Sequence, residues 1–301
     1  MNLPASAYWN QRDALASSRQ RLMALHAAVG RPNDLHLSQF AHLFAVALEY
    51  RPDLILELGR HYGNSTCSFT EAANQLGADS CRVISLCRSP AWESQRPAAV
   101  AAVVPDDWFE PLTTYRCDIL DFDYQRLLSG ARRVMVFWDA HGYNVAECVL
   151  GGILPLLADR PHVVIMHDLS DARYCGSQNL QYGSHHLWRG GNGSGARLRI
   201  GHIDSAVEQA VAIIDFTTRN DLPLHSADES LHTELFADAS KMAELEQMLG
   251  DEMIPRLAHW FWFSCNEGQK PLTFPVRRRR PGLVDRLRTM ARVLVQGGSR
   301  L

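Results

Sequence analysis

Short apolar runs alternate with helical patterns through the middle of the chain. Apolar runs predict five buried strands, at residues 53–58, 82–87, 113–117, 133–138 and 162–166. Between them, apolar residues recur at helical spacing, as in 65–76, 124–129 and 146–157. Strands that are continuously apolar and joined by helices are typical of a parallel sheet covered on both faces. The pattern therefore predicts an α/β fold with a doubly wound, mostly parallel sheet.

The flanking segments have different patterns and suggest three parts. Residues 1–50 predict an N-terminal helical cap, residues 51–276 the α/β domain, and residues 277–301 a basic tail. Inside the domain, residues 171–203 are rich in Gly, Ser, Asn, His and aromatics and show no period. A loop of this length is either a lid that contributes to a site or a solvated segment.

After this loop-rich insertion, the helical and strand patterns return. Residues 203–219 and 241–249 have helical spacing. Residues 259–264 and 272–276 predict two strands around a turn at 266–269, forming a late antiparallel pair.

Composition excludes several classes of protein. Hydrophobic content of 46% and charged content of 21% are ordinary for a globular chain, and no run of 18 apolar residues predicts a membrane span. The N-terminal residues lack the pattern of a secretory signal. Seven cysteines without a CxxC pair favour a reducing, cytoplasmic location over a disulfide scaffold.

The net charge of -3 is distributed unevenly. From Arg277 onward there are eight arginines and one acid, so this tail carries +7 and the remainder -10. An acidic body argues against nucleic acid as a partner. The tail has an apolar stripe at helical spacing, which predicts a basic amphipathic helix. Such a helix either lies on an anionic membrane surface or packs against the body or a second subunit in a homo-oligomer.

The segment from Leu54 to Ser65 has the pattern of a strand, a tight turn and a helix start. Glu57 lies near the strand's carboxyl end, and the turn is marked by Gly59 and Gly63. Glycines let a ligand approach the backbone N–H groups at the start of a helix, where Asn64 and Ser65 lie. The alternative is an ordinary turn in which Asn or Ser caps the helix.

Two Asp/His clusters follow the fourth and fifth predicted strands. Asp139 and His141 follow the fourth strand, and His167 and Asp168 stand at the end of the fifth. The carboxyl ends of parallel strands meet at one edge of a sheet, so these side chains are expected near Glu57. Carboxylates suit a hard cation such as Mg²⁺ and histidines a softer divalent ion, while isolated residues of these types are more often caps or core histidines.

These motifs resemble class I S-adenosylmethionine (SAM)-dependent methyltransferases over roughly residues 50–170. The acid before the first glycine is similar to their motif I. The run from Val134 to Asp168 is similar to cephalosporin-hydroxylase-like and macrocin-type small-molecule O-methyltransferases, with Ile153–Leu157 in the helix between the strands. The resemblance implies a Rossmann-like fold and SAM as cofactor. It also implies Asp139 and Asp168 as metal ligands, with His141 or His167 as a third ligand or general base.

One departure from this family lies at the end of the second strand. Class I methyltransferases usually place a carboxylate there for the ribose hydroxyls, but this strand ends with Ser85, Cys87 and Arg88. Arginine has no acceptor, so Ser85 or the later Glu93 would have to serve. By resemblance Asp118 lies near the adenine, and the alternative is that it caps the helix after it.

The sequence therefore predicts a SAM-dependent methyltransferase that acts on a hydroxyl of a small molecule or sugar, with or without a divalent cation. The predicted cofactor residues share the strand ends of one sheet edge: Glu57, Gly59, Gly63, Asn64, Ser65, Ser85, Asp118 and Asp139. The predicted catalytic histidines are His141, His167 and, from the insertion, His185. Two alternatives stay open: a non-catalytic scaffold protein of the same fold, and a metal-dependent hydrolase.

Overall fold

The computed structural model describes residues 3–30, 35–167, 200–254, 258–265 and 271–277. Within these ranges, the strands are β1 (Leu54–Leu58), β2 (Arg82–Cys87), β3 (Leu112–Arg116), β4 (Val134–Trp138), β5 (His162–His167), β6 (His225–Ser226) and β7 (Trp260–Cys265). They form one sheet in the order β3-β2-β1-β4-β5-β7-β6. The first five strands are parallel, and β7 runs antiparallel to both β5 and β6. The predicted α/β class and mostly parallel, doubly wound sheet are confirmed.

Helices connect and cover these strands. They are α1 (Leu3–Asn10), α2 (Arg12–Val29), α3 (Leu37–Tyr50), α4 (Asn64–Leu76), α5 (Ala91–Ala101), α6 (Tyr124–Leu128), α7 (Tyr143–Cys148), α8 (Ile200–Arg219), α9 (Ala227–Ser230) and α10 (Ala239–Leu249). The helical patterns at 65–76, 124–129, 203–219 and 241–249 thus correspond to helices within a few residues of their predicted ends.

The strands are buried on both faces, which is why their sequences are continuously apolar. Ile55 and Met135 face a core that includes Phe40 and Phe44 of α3. The neighbouring positions Leu56 and Val136 face the opposite core, which includes residues of α6, α7 and α8. This alternation follows from the two-residue period of a strand.

The N-terminal helices belong to the first of these cores. Leu15, Leu22 and Leu25 of α2 are fully buried in it with α3 and the sheet. The Tyr8 hydroxyl of α1 donates to the backbone carbonyl of Met253, far along the chain. The division into a cap at 1–50, a domain at 51–276 and a tail at 277–301 stays a prediction.

Two local predictions differ from the structure. The helix predicted at 146–157 begins earlier, at Tyr143, and continues as a π-helix over Val149–Ile153 and a 3₁₀ turn over Leu154–Leu157. The strand predicted at 272–276 is wrong, since β7 pairs with His225–Ser226 instead. The Asn220 side chain takes the place of a strand partner for Thr273. It accepts from the Thr273 N–H at 2.7 Å and donates to the Thr273 carbonyl at 3.0 Å.

Several predicted features lie outside the described residues. They are Asp168, most of the 171–203 insertion with His185, the turn at 266–269 and the tail after Arg277. In the ranges that the structure describes, none of the helices is both long and apolar enough to cross a membrane.

Candidate active site

The site forms where the strand order changes direction, between β1 and β4. Leu58 and Trp138 are register partners, and the Asp139 N–H donates to the Leu58 carbonyl at 2.8 Å. The chain therefore leaves both strands side by side at the carboxyl edge, the usual ligand site of open α/β sheets.

A cavity of about 540 Å³ opens at this edge. Its lining includes four of the predicted site residues, Gly59, Asp118, Asp139 and His141. His61, Cys87, Arg88 and Tyr143 also line it. Cofactor-sized ligands occupy pockets of about 300–1,000 Å³, so this cavity is large enough for one.

Both turn glycines adopt left-handed backbone conformations, with φ 102° at Gly59 and 92° at Gly63. A Cβ at Gly59 would overlap the backbone carbonyl of Asp139, and one at Gly63 would overlap the Trp92 ring. The structure thus adds a reason for glycine here: the turn must pack against the end of β4 and against α5.

Glu57 lies beneath the turn and is fully buried. Ser65 and Thr66, in the first turn of α4, donate to its carboxylate at 2.5 and 2.6 Å, and Ser85 of β2 donates to it as well. Burial raises the pKa of Glu57, while the hydroxyl donors and the nearby Arg60 act in the opposite direction. Glu57 and Ser65 therefore tie α4 to the strands under the cavity.

Arg60 occupies the space beside the end of β2. Its fully buried guanidinium donates to the Ser85 carbonyl at 2.9 Å and to the Ser85 hydroxyl at 3.1 Å. It also pairs with Glu93 of α5. Ser85 and Glu93, the two candidates to replace the family's ribose carboxylate, are both engaged with Arg60.

Arg88 and Asp118 both line the cavity and lie next to each other. Their charged groups are 3.7 Å apart, and Arg88 is largely exposed. Asp118 also accepts from the Leu120 N–H at 3.0 Å and so caps the 3₁₀ turn at Ile119–Asp121. The capping alternative for Asp118 is observed, and the same residue lines the cavity.

Asn64, the first residue of α4, is only 2% exposed. Neither its Oδ1 nor its Nδ2 has a hydrogen-bond partner among the residues that the structure describes. Gly63 at the cap position supplies no side chain for the free N–H groups of this helix end. A buried amide without partners costs free energy, so the structure has unused polar capacity beside the cavity turn.

Residues from both predicted Asp/His clusters lie close together at the ends of β4 and β5. Asp139 Oδ1 lies 3.3 Å from Nδ1 of His167 and 3.8 Å from Nε2 of His141. His141 is partly exposed on the cavity wall, whereas His167 is buried. Gln209 of α8 accepts from the Gly142 N–H at 2.7 Å, which fixes the start of α7 beside this cluster.

A metal site is not formed by the described residues alone. Among them, no three His, Cys, Asp or Glu side chains are placed to hold an ion. The predicted ligands Asp139 and His141 are close together, and the third, Asp168, lies outside the described ranges. The divalent cation therefore stays a prediction.

Some residues of the site were not predicted from sequence. Arg60 and His61 follow Gly59 directly, and a charged residue inside a glycine turn is a signal that could have been used. The role of Tyr143 had no such signal, because it depends on how α7 lies against the strand ends.

Comparisons with known proteins agree with this architecture. No protein-family model matches the chain, and a search of characterised proteins gives no match. Among solved structures, the O-methyltransferase TomG from Streptomyces achromogenes, in complex with SAM and involved in tomaymycin synthesis, is 15% identical. The match has a TM-score of 0.50 and covers 82% of this chain and 89% of TomG.

Two further solved structures have lower scores. A putative O-methyltransferase from Klebsiella pneumoniae is 12% identical with a TM-score of 0.47, over 85% of this chain and 90% of that one. SAH-bound PaMTH1 from Podospora anserina is 13% identical with a TM-score of 0.44, over 83% and 87%. At such identities a likeness shows the fold, and the TomG match is the one of the three that reaches 0.50. The chain has a Rossmann-like methyltransferase fold.

Proposed function

We propose that this protein is a SAM-dependent O-methyltransferase that acts on a hydroxyl of a small molecule or sugar. The observation that carries the proposal is the cavity at the carboxyl edge of β1 and β4. One side of it is the glycine turn at Gly59, and the other is formed by Asp139 and His141, with His167 buried against Asp139. TomG, which has the same fold, is an O-methyltransferase with SAM bound.

The residues around the glycine turn fit the cofactor. Asn64 offers a donor and an acceptor that have no partner in the described structure. The first N–H groups of α4 suit a carboxylate such as that of the methionine moiety. SAM, when bound, supplies a methyl group on a positively charged sulfur. Gly59, Asn64 and Asp118 are the residues we expect to hold it.

The acceptor hydroxyl would meet the histidines on the other side of the cavity. His141 lies on the cavity wall, where its imidazole would act as the general base that takes the proton of the acceptor hydroxyl. The resulting imidazolium would lie near the Asp139 carboxylate, now 3.8 Å from Nε2, and would be stabilised by it. His167, held at 3.3 Å from the same carboxylate, keeps Asp139 in place.

Binding of SAM to the purified protein tests this proposal by calorimetry. We expect the wild type to bind SAM and Asn64→Ala to bind it at least about tenfold more weakly, because each hydrogen bond to a charged ligand contributes roughly 1.5–3 kcal/mol. The free energy of unfolding without SAM should not fall, since Asn64→Ala removes a buried amide that has no hydrogen bond in the described structure.

Asn74→Ala is the matched control. Its side chain donates to the carbonyls of Thr70 and Trp108, at 3.0 and 2.8 Å, on the far part of α4. We expect this variant to lower stability and leave SAM affinity unchanged. A wild type that does not bind SAM would contradict the proposal and favour a non-catalytic protein of this fold.

A further inference from the structure

A second cavity, of about 850 Å³, lies between α7, α8 and the segment 271–277. Its lining combines charged residues with a larger apolar set that includes Leu150, Ala212, Phe216 and Phe274; the charged residues are Glu147, Asp215 and Arg219. Val211 also lines it and is 58% exposed. We call this cavity the α7/α8 groove.

The α7/α8 groove adjoins the candidate active site. Tyr143 lines both cavities, so they are separated by about one side chain. Tyr143 follows Gly142, whose N–H is bound by Gln209 of α8, and this hydrogen bond sets where the two helices meet. A molecule whose hydroxyl lies near His141 could therefore extend past Tyr143 into the groove.

The length and chemistry of the groove restrict what fits. From Val211 to Arg219, α8 runs along it over nine residues, a rise of about 12 Å at 1.5 Å per step. Asp215 and Arg219 on the groove pair with each other at 2.8 Å, and Glu147 at one side of α7 also lines it. An extended apolar group matches this surface better than a bare sugar does.

We propose that the α7/α8 groove binds an apolar chain or ring carried by the methyl acceptor. The acceptor is then a hydroxyl compound with an alkyl or aryl extension of up to about 12 Å. This inference rests on the proposed methyltransferase function, because it places the reacting hydroxyl in the first cavity.

Calorimetry with n-alkyl 4-hydroxybenzoates from ethyl to heptyl tests the groove. Each fully buried methylene contributes roughly 0.8 kcal/mol, so we expect affinity to rise by up to about fourfold per methylene. Val211→Asp places a charge in the groove and should weaken heptyl binding by at least about tenfold, while the ethyl ester is little affected. Ile214→Asp is the matched control, since Ile214 is 54% exposed on the same helix and does not line the groove. For Ile214→Asp we expect affinity to rise with alkyl chain length as it does in the wild type.

The outcomes separate this inference from the proposed function. If wild-type affinity does not rise with chain length, or if both variants behave alike, the groove inference is wrong whether or not SAM binds. If chain length matters and SAM does not bind, the groove stands as a binding site and the methyltransferase proposal fails. If light scattering shows that Val211→Asp dissociates an oligomer and chain length has no effect, a second copy of the chain covers the groove and the inference is overturned.

Discussion

At the scale of single residues, Glu57 shows how a motif residue can have a structural role. Its position before Gly59 predicts a cofactor contact, and that contact stays a prediction. The structure places the carboxyl below the turn, fully buried, with three hydroxyl donors. The acid could be found from sequence, but its burial could not, because it depends on hydroxyls from α4 and β2 converging on it.

The buried Glu57 carboxyl gives a prediction for the pH dependence of stability. Its folded pKa is raised above 4.5, chiefly by burial. Below that value the carboxyl is protonated in both states. As pH rises from 4.5 towards the folded pKa, the folded state keeps a proton that the unfolded state has lost, so the free energy of unfolding falls. Glu57→Gln should remove this fall, as measured by urea unfolding across the acidic range.

The control for a general charge effect is Glu246→Gln, which removes an exposed carboxyl from α10. We expect the Glu57 variant to differ from wild type in the slope of stability against pH. If the free energy of unfolding changes with pH in the same way for wild type and Glu57→Gln, Glu57 is charged in both the folded and the unfolded state over this range.

At the scale of elements, the unit of β1, its turn and α4 carries the site. The turn can take this path because Gly59 has φ 102° and leaves room for the Asp139 carbonyl. Sequence predicted the strand, the turn and the helix start here, since glycine spacing and apolar runs are local signals. It could not predict that the glycine contacts β4, because that contact joins segments far apart in the chain.

Replacing this glycine should therefore be costly. Gly59→Ala combines a strained backbone, worth about 1–3 kcal/mol, with overlap against the Asp139 backbone. We expect the free energy of unfolding to fall by at least about 2 kcal/mol in urea titrations. Gly130→Ala is the comparison, since a Cβ there meets nothing within 4 Å and its φ is not left-handed. It should be neutral or stabilising by about 0.4–1 kcal/mol. Equal stability of the two variants would mean that the turn relaxes freely.

The irregular continuation of α7 has the helix-interrupting residues Gly151, Gly152 and Pro155 in its sequence, but the contacts that it makes could not be predicted from them. Gly151 lies against the segment 271–277, where a Cβ would come within 2.6 Å of the Pro275 carbonyl. Arg277 donates to the Leu120 carbonyl, which holds the same segment in place. These contacts explain why residues 272–276 pack beside helices instead of extending the sheet.

At the scale of the whole molecule, the alternation of apolar runs and helices was enough to predict the fold class. Five parallel strands lie within one residue of their predicted bounds. The partner of β7 could not be predicted, because a two-residue strand at His225–Ser226 has too little pattern to stand out. The gathering of Asp139, His141 and His167 was predictable, since strand ends of a parallel sheet share one edge.

The core on the α3 side of the sheet indicates that the N-terminal helices are required for folding. Phe40 and Phe44 of α3 are fully buried in the same cluster as Ile55 and Met135 of the sheet. A fragment of residues 51–301 would expose that face, and we expect it to lack a cooperative thermal transition in calorimetry. A fragment that unfolds cooperatively at the wild-type temperature would instead show that residues 1–50 form a separable domain.

The hydrogen bond from Tyr8 to the Met253 carbonyl has a consequence for synthesis on the ribosome. The two residues are 245 positions apart. At translation rates of about 5–20 residues per second, α1 waits roughly 12–50 s before its partner residue exists. Its buried side chains, Leu3, Ala7 and Tyr8, are without that partner during this interval. Until Met253 is made, this part of α1 is therefore incompletely packed and open to aggregation and to binding by chaperones.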